Sequence, residues 1–255
     1  MESLEKDKIK ISSLASAKEI ENRTALLKLQ KQNPLPEQEI ISNTALFLKR
    51  QELSKILFFN EIYKKVSLVH GIIIEFGCRW GQNLVTFNNL RGIYEPFNYN
   101  RRIVGFDTFS GFNKVHEKDG NDAIVAEGNF NVTKDYEHYL KELLETHEAE
   151  SPLEHISKNI LVKGNAEEEL VKYLEANPQT IIAFAWFDFD LYKPTLECLK
   201  LIKPHLTKGS ILGFDELNDP KFPGETQALS EVFNLNDIKI NRNKFSGMQS
   251  YIEFN

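Results

Sequence analysis

Four acidic residues fall in two short strings, Trp186-Phe-Asp188-Phe-Asp190-Leu-Tyr192-Lys-Pro194 and Leu212-Gly-Phe-Asp215-Glu216, each closing a run of apolar residues. Short apolar runs of this kind read as buried strands, so the acids stand at strand ends. In open α/β sheets the carboxyl ends of the strands form one edge, the edge where ligands sit. Asp188, Asp190, Asp215 and Glu216 should therefore converge. Converging carboxylates repel one another unless a cation neutralises them, and hard oxygen ligands select Mg²⁺ or Ca²⁺ over zinc. A hydroxyl held on such an ion needs only a weak base, a role open to Asp188 or Asp190. The alternative is that these acids cap the helices that follow, notably the one entered through Pro194.

A second set lies earlier in the chain. Ile73-Ile-Glu75-Phe-Gly77-Cys-Arg-Trp-Gly81 is an E-x-G-x-x-x-G turn between a buried strand and a helix. Glycines at 77 and 81 let backbone pass close to a ligand, and the helix start offers unpaired N–H groups. The dinucleotide fingerprint G-x-G-x-x-G is broken by Arg79, which disfavours a pyrophosphate. An acid at the strand end, with glycine two residues on, suits a ligand carrying both ammonium and carboxylate, such as the methionine end of S-adenosylmethionine. The strand Ile103-Val-Gly-Phe-Asp107 ends in a carboxylate that can accept both hydroxyls of a ribose. Gly164-Asn165-Ala166 opens a helix after a third strand, where an adenine could meet backbone and the Asn165 amide, although Asn165 could equally cap that helix. His116, alone in a loop, is a remote candidate base. Trp80 and Trp186 read as core or pocket wall.

These groups need a scaffold. Residues 13 to 67 are helical in pattern, interrupted at Asn33-Pro34-Leu35-Pro36, with Leu53, Ile56, Leu57 and Ile62 at helical spacing, so they should pack against the rest of the chain or a second copy. After His70 short apolar runs alternate with amphipathic stretches, the signature of βαβ units. Seven runs read as strands: 71–76, 102–106, 159–162, 180–187, 210–214, 237–240 and 250–254. The last two are too close for a crossover helix and should pair antiparallel, giving a mostly parallel seven-stranded sheet with one antiparallel strand. The polar stretch 107–132 is long enough to be a functional loop. The chain thus divides into an N-terminal helical extension, 1–67, serving oligomerisation or covering the site, and an α/β domain, 68–255.

Composition narrows the classes. At 255 residues, with 41% hydrophobic and 27% charged residues, the chain is ordinary globular material. Its 31 basic against 37 acidic residues give a net charge of −6, a field that repels nucleic acid. Cys78 and Cys198 form no disulfide or metal spacing, and no apolar run is long enough to span a bilayer, so the expected location is cytoplasmic with no membrane partner.

The strings Glu75-Phe-Gly77-x-x-x-Gly81, Gly105-Phe-Asp107-Thr-Phe-Ser-Gly111-Phe112, Asp188-x-Asp190-Leu-Tyr192-x-Pro-Thr195 and Asp215-Glu216 resemble the macrocin O-methyltransferase family of sugar methyltransferases, over about residues 71–255. That resemblance implies a Rossmann-like class I methyltransferase fold with S-adenosylmethionine as donor. Its donor site would use Glu75, Gly77, Gly81, Asp107, Thr108, Asn165 and Ala166. It also implies a divalent metal, usually Mg²⁺, at Asp188, Asp215 and Glu216, with Asp190 close by, and a sugar hydroxyl as acceptor; the apolar helical extension, apart from the resemblance, points to a homo-oligomer such as a dimer. The family's Asp-Asp-Tyr is Asp215-Glu216-Leu217 here, and Leu191 stands where several metal-dependent O-methyltransferases carry a basic residue. Two other readings remain: a nucleotide-sugar glycosyltransferase using Asp188-x-Asp190, and a non-catalytic binding protein on the same fold.

Overall fold

Alternation of apolar side chains builds the sheet and sorts its faces. In the computed structural model, which describes residue 9 and residues 15–254, the strands are β1 (Ile72–Phe76), β2 (Ile103–Asp107), β3 (Asn159–Lys163), β4 (Ile182–Phe187), β5 (Leu206–Phe214), β6 (Ile240–Arg242) and β7 (Ser250–Glu253). Their order is β3-β2-β1-β4-β5-β7-β6, with β7 antiparallel to both its neighbours. All seven expected strands are present. β6 begins where the expected run 237–240 ends, because Asn234 and Asp237 close a turn on each other. Residues 13 and 14, the start of the helical pattern, lie outside the described residues.

Side chains at alternate positions point to opposite faces. Ile74, Phe76, Val104, Phe106, Phe187, Leu212 and Phe214 join one core with helices α5 (Ala166–Ala176), α6 (Tyr192–Ile202) and α7 (Pro223–Val232). Ile73, Ile103, Phe184, Trp186 and Ile211 face the other way, against α2 (Arg50–Val66), α3 (Gln82–Tyr94) and α4 (Tyr136–Ala149). The result is a three-layer α/β/α sandwich. Among the described residues no helix is long and apolar enough to cross a membrane.

The two long N-terminal helices behave differently. α1 (Ala17–Lys31) starts with a Ser16–Glu19 capping box and buries no residue. α2 buries Phe58, Phe59, Ile62, Tyr63 and Val66, with Phe59 edge-on to Phe87 and Trp186 at 4.8 Å each. The expected stripe of Leu53, Ile56, Leu57 and Ile62 is therefore corrected: Ile62 is buried and Ile56 partly so, whereas Leu53 and Leu57 remain 43% and 40% exposed. The aromatic pair Phe58–Phe59 presents the larger apolar area and turns the helix toward itself.

The stretch 107–132 is ordered by its own contacts. Ile124 and Val125 pack with Leu191 and Phe222, and the buried Asp119 Oδ1 accepts the Tyr192 N–H at 2.5 Å. That bond caps α6 from 73 residues away, so the acids at 188 and 190 do not serve as its cap. His116 caps the short 3₁₀ turn Glu117–Asp119, its Nδ1 accepting the Lys118 N–H, and does not line the cavity described next.

Candidate active site

A cavity of about 580 Å³ runs across the carboxyl ends of β2, β1, β4 and β5. One end is walled by Gly77, Asp107, Thr108, Asn165 and Ala166, the other by Asp188, Asp190, Asp215, Glu216 and Lys55. The strand order reverses at β1 and β4, and that crevice is where open α/β sheets hold ligands. The two ends meet there. Gly77 has φ +86°, and a Cβ on it would fall on the Asp188 carbonyl oxygen, so only glycine allows the first turn and the fourth strand to touch. The Asp188 N–H donates to Phe76 O at 2.9 Å, and the Asp215 N–H to Phe187 O at 3.2 Å, which carries the line of strand ends outward.

At the first end, Asp107 accepts the Arg79 N–H through Oδ2 (2.7 Å) and the Phe109 N–H through Oδ1 (2.5 Å), so its carboxylate is held in place before any ligand arrives. Glu75 and Gly81 stand behind the wall. Glu75 is fully buried, takes Asn83 Nδ2 on Oε1 at 2.8 Å and leaves Oε2 without a partner. Burial pushes its pKa well up, only partly opposed by the Asn83 bond. Gly81 starts α3 at φ +76°, and a Cβ there would strike Leu140, so its lack of a side chain seats α3 against α4. Asn165 makes no cap bond to α5; it accepts from Asn113 Nδ2 at 2.7 Å across the cavity mouth.

The second end is organised around a residue that motif spacing does not flag. Lys55 Nζ, from α2, lies 3.2 Å from Asp188 Oδ2 and 3.2 Å from Asp215 Oδ1. The Trp186 indole also donates to Asp188 Oδ2 (3.2 Å), and Gln249 Nε2 donates to Asp215 Oδ1 (2.9 Å). The signal for Lys55 was positional: the buried stripe Phe58, Phe59, Ile62, Val66, continued back one turn, lands on residue 55. Behind this pair sit Asp190, Glu216 and Glu225, all buried, each with one oxygen lacking a partner and with ligand oxygens within 4.8 Å of one another. Asp188, Asp215 and Glu216 form a second such group.

The carboxylates differ in how far a partner offsets burial: Asp188 stays above the ordinary carboxylate value, chiefly through burial and despite Lys55. Burial would lower the Lys55 ammonium's pKa, but Asp188, Asp215 and Glu216 together outweigh it and hold the charge on. Asp215 is buried too, yet Lys55, with hydrogen bonds from its neighbours, brings it below the ordinary carboxylate value. Among the described residues no lysine forms an ion pair with the inner triad, which Lys55 reaches only through space. Burial, reinforced by Asp188, pushes Asp190 up to about 7, and burial with mutual repulsion raises Glu216 and Glu225 well above their ordinary value.

This sheet order, the lone antiparallel β7 and a cavity across the β1–β4 crevice define a Rossmann-like methyltransferase. Neither protein-family models nor curated proteins match the chain. Solved structures do. A crystal structure of CalS11, a calicheamicin methyltransferase, is 42% identical with a TM-score of 0.92, over 94% of each chain. The apo structure of CalS11, described as a TDP-rhamnose 3'-O-methyltransferase, is 39% identical with a TM-score of 0.83, over 94% of this chain and 96% of that one. The O-methyltransferase NovP, 16% identical with a TM-score of 0.57 over 79% of each chain, shares the fold. The chain belongs to the family of sugar O-methyltransferases that includes CalS11, and it is an S-adenosylmethionine-dependent O-methyltransferase.

Proposed function

We propose that this enzyme methylates a hydroxyl of a deoxysugar, carried on a nucleoside diphosphate as in the CalS11 substrate TDP-rhamnose, with the help of a divalent cation. The observation that carries this reading is the continuity of the cavity from Asp107 and Asn165 to Asp188, Asp215 and Glu216. It offers a nucleoside end and an anionic end in one space. Identity to methyltransferases over nearly the whole chain speaks against the glycosyltransferase alternative, which also leaves the Glu75–Gly81 turn without work.

In this reading Asp107 and Thr108 take the donor's ribose, Asn165 and Ala166 border its adenine, and the turn at Gly77 takes the methionine end. Glu75, with its unpartnered Oε2, and Gly81 support that turn from behind. Asp188, Asp215 and Glu216 fit a hard ion such as Mg²⁺: three carboxylates with closely grouped oxygens, of which Glu216 Oε2 has no partner. When bound, such an ion lowers the pKa of a coordinated hydroxyl and stabilises the developing alkoxide. Trp186 and Gln249 hold Asp188 and Asp215 in place. Asp190 accepts the acceptor's proton, because its Oδ1 is free and its pKa of about 7 matches a base working near neutrality. Asp188, already receiving Lys55, Trp186 and Asn83 on one oxygen, serves as a positioned carboxylate.

Methyl-labelled donor incubated with TDP-rhamnose and MgCl₂ tests the proposal. The expected result is label in the nucleotide sugar and none in free rhamnose, with loss of transfer in EDTA. Full activity in EDTA would remove the metal, and failure to bind adenosylhomocysteine would remove the donor site. We also propose a cytoplasmic dimer formed through the N-terminal surface, where Leu29, Ile41 and Leu46 are exposed; light scattering gives the mass directly.

A further inference from the structure

Lys55 occupies the space between Asp188 and Asp215 that a divalent cation would also seek. Its Nζ is equidistant from one oxygen of each, at 3.2 Å, and only 23% of its side chain reaches solvent. The ammonium is fixed from behind as well, lying 5.4 Å from the Trp186 ring centroid and 5.9 Å from that of Phe59. Its helix is anchored on the sheet by Phe58, Phe59 and Ile62. Two positive charges cannot share one pair of carboxylates at these distances without strong repulsion, which the partly buried setting screens weakly.

We propose that Lys55 is the built-in counter-ion of the Asp188–Asp215 pair and that a divalent cation binds by displacing it, so that α2 sets the affinity and the timing of metal loading. This rests on the metal reading above. The site is then never left as bare anions: the lysine neutralises it before the ion arrives and after it leaves. Displaced from the carboxylates, the ammonium has a flexible four-carbon stem and an adjoining cavity that would hold an anionic nucleotide sugar, so metal entry would hand one positive charge to the acceptor side.

The test is calorimetric titration of the full-length protein with MnCl₂. Lys55→Met keeps the apolar stem and removes the charge; Mn²⁺ should bind it at least tenfold more tightly than the wild type, while Lys55→Arg stays within a few fold of wild type. A lysine that merely held the carboxylates in place would give the opposite sign, so unchanged or weaker binding to a folded Lys55→Met overturns the proposal while leaving the metal site standing. If neither protein binds Mn²⁺, the metal reading falls and this inference with it. The wild type supplies a measurement independent of any variant's folding. Brief labelling with an amine-reactive reagent, read by mass spectrometry, should modify Lys55 several-fold faster once Mn²⁺ is bound, with Lys200 and Lys208 unchanged as internal references. Equal Lys55 labelling with and without bound Mn²⁺ also overturns it.

Discussion

Two carboxylate groups lie side by side, Asp188 and Asp215 at the ends of β4 and β5 and, behind them, Asp190 and Glu216 with Glu225 of α7, and they meet the same electrostatic problem with different partners. Asp188 and Asp215 face a lysine and three further donors; Asp215 falls below the ordinary carboxylate value despite burial, whereas Asp188 stays above it. Asp190, Glu216 and Glu225 face one another, and burial with their mutual repulsion pushes their pKa values up. A partner therefore opposes burial without always overcoming it: the same lysine brings Asp215 down and leaves Asp188 raised. The contrast gives the acceptor end one carboxylate, Asp215, that keeps its negative charge and another, Asp190, that can take up or release a proton near neutral pH.

The largest expected effect comes from breaking the lysine-bound pair. Asp188→Asn keeps the shape but removes one charge, and turnover should fall by roughly 100-fold or more, whereas adenosylhomocysteine affinity measured by calorimetry should change by less than about threefold. An equal loss in both would show that donor and acceptor ends are not separable. Next is the donor turn: Gly77→Val should abolish adenosylhomocysteine binding in a protein whose circular dichroism still reports the sheet, because the new side chain would fall on Asp188 O.

The inner triad gives a pH signature. Asp190 has a folded value of about 7 against an ordinary 3.8, so between those values the folded chain binds a proton that the unfolded chain has released. Stability contributed by this group is present at the acidic end and declines as pH rises through 7. Asp190→Asn should accordingly lose less melting temperature than wild type between pH 5 and pH 8. The smallest effect is expected from Glu225→Gln, which can keep Oε1 as acceptor of the Phe189 and Asp190 N–H groups and removes one buried acid. At pH 8 it should stabilise the fold by about 1 kcal/mol in urea titration, and destabilisation would mean that the triad already holds a neutralising ion.

The four strand-end acids are legible in the sequence because each closes an apolar run, and runs of that kind end at one edge of a parallel sheet. Asp107 is legible for the same reason. Lys55, Glu225 and Asp119 are not, since their partners are 133, 35 and 73 residues away and no spacing rule spans such gaps. For the first two a faint trace exists: each is a charged residue on the apolar stripe of an amphipathic helix, where burial requires a partner. Asp119 leaves no such trace, because it sits in a polar loop whose ordering depends on tertiary contact. The α2 stripe was misjudged for a related reason. Leucine spacing suggested one face, and the bulk of Phe58 and Phe59 selected another.

The contact between Gly77 and the Asp188 carbonyl has a bearing on traffic. It joins the first turn and the fourth strand without a gap, so β1 and β4 cannot part like jaws to admit one molecule and discharge another. Exchange of reactants and products must proceed through the outer walls, where Asn113 and Lys114 from the stretch 107–132 stand on one side and Met248, 47% exposed, on the other. The floor of this enzyme is a fixed anvil, and its doorway belongs to the loops.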